Sequence, residues 1–186
     1  MSLKDRDKWD SKYKTDEYIT GKEPSSWLQT NVSLLAKKGK ALDIAGGEGR
    51  NSVFVASKGY EVTCLDISEN GLRKAKALAQ EKNTEITTVL TDLDSSHLKE
   101  NEYALVLCFN FLDRSLFSGI RETLRSGGLL FYETFTLDYL QYSSFKKEWV
   151  LQANELLHEF QDFRILRYQE VDENSRGFAS LVAQKL

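Results

Sequence analysis

Ala41-Leu42-Asp43-Ile44-Ala45-Gly46-Gly47-Glu48-Gly49-Arg50-Asn51 is the stretch that decides the fold. A short apolar run, residues 41–45, meets a glycine cluster, and Val53 to Ala56 then carry a helix that stops at Gly59. Strand, glycine turn, helix is the reading. The cycle repeats downstream. Glu61 to Leu65 predicts a second strand closed by Asp66, and residues 68–82 a helix with Leu72, Ala75, Leu78 and Ala79 on one face. Ile86 to Thr91 predicts a third strand closed by Asp92, Tyr103 to Phe109 a fourth closed by Asn110, and Leu129 to Tyr132 a fifth closed by Glu133. A helix carrying Leu116, Ile120 and Leu124, ended by Gly127-Gly128, is expected between the last two.

Upstream, Pro24-Ser25-Ser26 with Trp27, Leu28, Val32 and Leu35 at helical spacing predicts a helix over 24–37. Downstream, a helix over 147–160 (Val150, Ala153, Leu157) precedes two strands, 163–171 and 178–184. The turn between these strands, 172–177, is too short for a helical crossover, so they must be antiparallel neighbours. Alternating strands and helices elsewhere require a mostly parallel sheet covered on both faces. The fold class is α/β.

The length of 186 residues suits one domain. With 41% hydrophobic and 28% charged residues, the chain is neither disordered nor collagenous. Its 25 Lys plus Arg against 28 Asp plus Glu give a net charge of -3, so no basic field advertises nucleic acid, and no nucleic-acid partner is expected. The apolar run 104–109 is far too short to span a bilayer, and no membrane association is expected. The charged start, Met1 to Asp7, lacks a secretory apolar segment, so the expected location is cytoplasmic. Cys64 and Cys108 lie in strand-like runs as small buried hydrophobes, and no metal site is implied. The oligomeric state is left open.

In a doubly wound sheet, ligands bind outside the carboxyl ends of the strands. That edge collects Asp43, Asp66, Asp92, Asn110 and Glu133, one polar residue per strand. The glycine turn brings backbone close to a ligand at a helix N-terminus. The third glycine of the dinucleotide fingerprint is missing, and Asp43 and Glu48 would repel a pyrophosphate. A ligand carrying ammonium and sulfonium groups, such as S-adenosylmethionine, suits them better. Asp66 is then the expected acceptor for both ribose hydroxyls. Asp92 with the following Leu93 can read an adenine.

Residues 41–133 resemble the core of class I S-adenosylmethionine-dependent methyltransferases. The quoted stretch resembles their first motif, and Asp66, Asp92-Leu93 and Gly127-Gly128 fall where the later motifs do. The Gly49-Arg50-Asn51 continuation, Asn110-Phe111-Leu112-Asp113-Arg114 and Glu133-Thr134-Phe135 are similar to small tellurite-resistance-type methyltransferases. The resemblance implies a Rossmann-like, doubly wound, seven-stranded sheet in the order 3-2-1-4-5-7-6 with strand 7 antiparallel. It divides the single domain into an N-terminal cap and first helix (1–40), a cofactor-binding core (41–133), a substrate cover (134–160) and a closing hairpin (161–186). The cofactor-binding set it implies is Asp43, Ala45, Gly46, Gly47, Gly49, Arg50, Asn51, Asp66, Ile67, Asp92, Leu93 and Asn110. Ala45 replaces the motif's first glycine, which requires a negative φ there. Strand four lacks the Asn/Asp-Pro-Pro-Tyr/Phe motif that serves nitrogen methylation in one branch of the class.

Seven aromatic residues between Phe131 and Trp149 are expected to wall a substrate pocket, and Trp9, Tyr13 and Tyr18 suit a segment that folds over the cofactor. In-line methyl transfer needs no conspicuous catalytic group, so the catalytic residues are unassigned. If a proton must leave, Tyr132, Glu133 or Asp113 near the rim can take it. Arg50 and Arg114 can hold a carboxylate of cofactor or substrate, whereas His97 and His158 lack a catalytic setting. The expected function is methyl transfer from S-adenosylmethionine to a small molecule. The alternative is a cofactor-binding sensor or partner subunit without transferase activity. A nicotinamide-dependent oxidoreductase is disfavoured by the acidic glycine turn.

Overall fold

The computed structural model describes residues 3–35, 38–93, 98–173 and 176–186. The strands are β1 Lys40–Ile44, β2 Glu61–Asp66, β3 Thr87–Leu90, β4 Tyr103–Phe109, β5 Leu124–Phe135, β6 Arg164–Glu173 and β7 Arg176–Gln184. The helices are α1 Leu3–Lys12, α2 Ser26–Thr30, α3 Arg50–Ser57, α4 Glu69–Glu81, α5 Phe117–Thr123 and α6 Glu155–Glu159. All seven strands form one sheet in the order β3-β2-β1-β4-β5-β7-β6. β1 to β5 pair in parallel, and β7 runs antiparallel to β5 and β6. This is the expected topology. The tip of the closing hairpin, 174–175, lies outside the described residues.

Both faces of the sheet are buried, which is why its central strands read as continuous apolar runs. On one face Leu105, Leu107, Phe131 and Val182 pack under Trp27 and Leu28 of α2 and Val55 of α3. On the other, Val106, Cys108, Leu130 and Tyr132 pack under Phe117 and Ile120 of α5 and Leu156 and Phe160 at α6. α4 buries Leu72, Ala75, Leu78 and Ala79 as the periodicity predicts, and Ser68 caps it by accepting the Gly71 N–H.

Three expected helices are cut short. The helix predicted over 24–37 is α2 followed by a 3-10 turn, Val32–Leu34. Buried Asn31 explains the break, because its side-chain amide takes the Trp27 carbonyl at 2.9 Å and competes with the helix ladder. Residues 36–37 lie outside the described residues. The helix expected to run through Leu124 to Gly127-Gly128 ends at Thr123, and both glycines belong to β5. Gly127 N–H donates to Lys185 O at 2.8 Å and Lys185 N–H to Gly128 O at 2.9 Å, so the glycines join the sheet beside a register shift in β4 and β5. The helix predicted over 147–160 is a 3-10 turn, Lys147–Trp149, an isolated parallel bridge from Leu151 to Thr136, and the short α6. Leu151 N–H donates to Phe135 O at 2.8 Å, which draws the backbone to the sheet edge, and Asn154 is left-handed at φ +60°.

Candidate active site

β1 crosses the carboxyl edge through residues 45–49 and enters α3. The turn is tied to β2, since Gly46 N–H donates to Leu65 O at 2.9 Å. Gly47 has φ +53°, and a Cβ there would meet the Tyr13 hydroxyl at 2.7 Å. Gly49, at φ +82°, is the N-cap of α3, and a Cβ there would strike Ala75 Cβ at 2.5 Å. Its bareness lets α3 and α4 meet. Ala45 contradicts the expected negative φ: it is left-handed at φ +54°. The turn demands that conformation whatever residue fills it, at a cost of about 1–2 kcal/mol for a residue with a Cβ.

Asp66 closes β2 and anchors the turn. Its Oδ2 accepts the Gly47 N–H and its Oδ1 the Ser68 N–H, both at 2.8 Å. An ionised carboxylate offers about four lone-pair sites, more than the backbone N–H groups around Asp66 fill. Burial raises its pKa, against which the N–H groups of Ser68, Gly47 and the buried Ile67 work. Asp43, 1% exposed, lies beneath the turn and accepts the Ser52 hydroxyl at 2.6 Å. Burial, chiefly, pushes its carboxyl up to about 7.

Glu48 does not face a ligand. Its oxygens accept the N–H groups of Ile19 (3.1 Å) and Thr20 (3.0 Å), the Thr20 hydroxyl (3.1 Å) and Lys74 Nζ (2.9 Å). It therefore straps the N-terminal segment to α4. Asp10 does the same from α1, accepting Ser68 Oγ at 2.8 Å and the Asn70 N–H at 2.9 Å; the latter bond, above all, holds its pKa low. Between these straps the Tyr13 ring, 7% exposed, lies over Gly47 and Gly71. The Tyr13 ring thus lies over the glycine turn. Asp10 and Lys74 escaped the sequence reading, although a lysine beside the apolar face of α4 was a signal.

Arg50 donates to Thr20 O at 3.0 Å, and Asn51, 5% exposed, accepts the Ser25 N–H at 2.8 Å. Asp92 is half-buried after β3 and Leu93 fully buried. Asn110 is exposed at φ +55°, its N–H donating to Glu133 O at 2.8 Å. The series Asp43, Asp66, Asp92, Asn110 and Glu133 therefore lies along the carboxyl ends of five adjacent parallel strands.

The three proton-acceptor candidates are differently placed. Tyr132 is not at the rim: it is 1% exposed, donates to Phe111 O at 3.1 Å, and burial drives its pKa well up. Asp113 caps the 3-10 turn Arg114–Leu116 by accepting the Ser115 N–H at 2.9 Å. Glu133 accepts Ser25 Oγ at 2.9 Å on one oxygen and Ser180 Oγ at 2.8 Å on the other. Arg114 holds a carboxylate, but the protein's own: it pairs with Glu155 at 2.6 Å and reaches the Glu148 and Val150 carbonyls. Both cysteines are buried, and burial pushes the Cys108 thiol up to about 12. His158 is exposed on α6, and His97 lies outside the described residues.

The sequence profile of the family described as "Tellurite resistance protein TehB" matches residues 1–176. The chain belongs to the TehB family. A family relative from Haemophilus influenzae, named a probable S-adenosyl-L-methionine-dependent methyltransferase TehB, is 28% identical over 92% of this chain and 67% of its own length. The crystal structure of TehB from H. influenzae superimposes with a TM-score of 0.71 at 24% identity, covering 97% of this chain and 67% of that one. A geranyl diphosphate C-methyltransferase from Streptomyces coelicolor, solved with S-adenosyl-L-homocysteine, shares the fold at a TM-score of 0.69 and 12% identity, over 85% of this chain and 76% of that one. Family membership, topology and the acid-anchored glycine turn agree: this is a class I S-adenosylmethionine-dependent methyltransferase.

Proposed function

We propose that the chain transfers the S-adenosylmethionine methyl group to a small-molecule acceptor in the cytoplasm. Asp66 carries the reading, because it fixes Gly47 through one oxygen and Ser68 through the other and retains acceptor capacity for a ribose hydroxyl. In this reading Gly46, Gly47 and Gly49 bring backbone to the methionine portion, Asp43 sits below as counter-charge, Asp92 and Leu93 flank the adenine, and Tyr13 closes over the top. Ala45, Arg50, Asn51, Ile67 and Asn110 shape the turn and its surroundings. The net charge of -3 supports a small acceptor over nucleic acid. Among the described residues, no helix is long and apolar enough to cross a membrane.

Displacement at a sulfonium is driven by alignment and exclusion of water, and the strapped N-terminal segment supplies both. Isothermal titration with S-adenosylmethionine, S-adenosylhomocysteine and NADH is the test, followed by S-adenosylhomocysteine release with added acceptors. Binding of the first two alone, with turnover, is expected. Binding without turnover on any acceptor favours the sensor reading, and binding of NADH alone overturns both.

A further inference from the structure

Tyr13 directly follows α1, and its neighbours fix where its hydroxyl points. Its N–H donates to Trp9 O at 2.9 Å, and its ring stacks on that of Trp9 at 5.6 Å between centroids. Asp10 fastens α1 to the start of α4 through Ser68 Oγ and the Asn70 N–H. The edge of the Tyr13 ring lies against Gly71, where a Cβ would meet Cδ2 at 3.1 Å and Cε2 at 3.3 Å. The phenol tip then reaches Gly47: a Cβ there would meet Oη at 2.7 Å and Cζ at 3.3 Å. Asp66 Oδ2 lies 3.9 Å from the same point. A phenol and a carboxylate therefore converge on the bare side of one glycine.

That phenol is buried without a partner. Tyr13 is 7% exposed, yet among the described residues its hydroxyl makes no hydrogen bond. A polar group buried in this way is under-satisfied, and a bound ligand can relieve it. Burial above all, with the charges of Asp66 and Glu48, pushes the Tyr13 pKa up, while Arg50 works the other way. The phenol keeps its proton and stays a donor. Backbone donors at the turn are already committed: Gly46 N–H to Leu65 O, Gly47 N–H to Asp66 Oδ2 and Gly49 N–H to Gly46 O.

The surrounding charges select the ligand group. Asp43 lies buried beneath the turn, Glu48 is paired with Lys74, and Arg50 is turned to Thr20 O, so Asp66 is the acid that shares the spot with Tyr13. An anion placed there would sit against Asp66, and a cation would leave the phenol proton without an acceptor. An uncharged hydroxyl suits both, since its proton goes to Asp66 and its lone pair takes the proton of Tyr13.

We propose that Tyr13 is a cofactor-binding residue whose hydroxyl donates to a ribose hydroxyl of S-adenosylmethionine, the same one whose proton Asp66 accepts. This rests on the methyltransferase reading above and adds to it a second reader of the ribose. The N-terminal segment is then part of the binding site as well as its cover, and Asp10 is the residue that positions it.

Tyr13→Phe removes the hydroxyl and keeps the ring. Its thermal midpoint without coenzyme should match the parent, because the hydroxyl bonds nothing in the protein. Its affinity for S-adenosylhomocysteine, by titration calorimetry, should fall about fivefold to tenfold, as for the loss of one neutral hydrogen bond. The 2′-deoxy and 3′-deoxy forms of S-adenosylhomocysteine give a readout that a packing role would not move. One of them should bind parent and variant equally, since the group that Tyr13 reads is already gone. Failure of the parent to bind S-adenosylhomocysteine overturns the methyltransferase reading and this inference with it. With the parent binding, an unchanged affinity in Tyr13→Phe overturns this inference alone. So does a loss of the same size with S-adenosylhomocysteine and with both deoxy forms, which would put the effect of the hydroxyl away from the ribose. A lowered thermal midpoint does so too, since the hydroxyl would then be holding the protein and not the coenzyme.

Discussion

Asp66 holds the glycine turn through Gly47 and Ser68, and on the proposed reading the same carboxylate takes the ribose. Asp66→Ala should weaken S-adenosylmethionine binding by roughly 1.5–3 kcal/mol, the range for hydrogen bonds to a charged group, measured by titration calorimetry on the folded variant. Asp43 makes a pH prediction. Its carboxyl, at about 7 when folded, stands above its ordinary 3.8, so folding favours the protonated form. The associated stability is fully present below the ordinary value and lost as pH rises through 7. The urea midpoint of the cofactor-free protein should therefore fall between pH 5 and pH 8, and fall less in Asp43→Asn; equal slopes would remove Asp43 as the cause. Both aspartates were legible as strand-end acids in a glycine context. The left-handed Ala45 was not, because a sequence names the residue at a turn but not the φ that the turn imposes on it.

At the scale of elements, the strands were more legible than the helices. The central strands are apolar runs buried on both faces, and all seven lie within a few residues of the expected positions, although β5 also takes in the glycine pair expected to end a helix. Helix ends are decided by competitors that periodicity ignores, such as the Asn31 amide on the Trp27 carbonyl or the pull of Leu151 toward Phe135 O. The fastening of residues 13–20 is not legible in the sequence. Glu48 had been read as facing a ligand, whereas it pairs with Lys74, their side chains 0% and 6% exposed. Lys74→Ala should cost about 3–5 kcal/mol, the range for breaking a buried ion pair, and should open the Tyr13 to Thr20 stretch to proteolysis before the sheet. A chemical-denaturation midpoint close to the parent would show that Ile19 and Thr20 suffice to satisfy Glu48.

For the molecule as a whole, the topology was readable because chain logic constrains it. Repeated strand–helix cycles force parallel neighbours, and a six-residue turn forces the antiparallel finish. What the sequence concealed is which distant segments close the edge: Ser25 to Glu133, Asn51 to Ser25 and Asp10 to Asn70 link positions far apart in the chain. Those links carry a kinetic consequence. The strap lies over the glycine turn, with the Tyr13 ring above Gly47 and Gly71. On the proposed reading, coenzyme enters before the strap settles and leaves only after it lifts. Compulsory-order turnover follows, with coenzyme first on and its demethylated product last off. Product-inhibition patterns should show S-adenosylhomocysteine competing with S-adenosylmethionine alone, and release of that product should set the pace of each cycle.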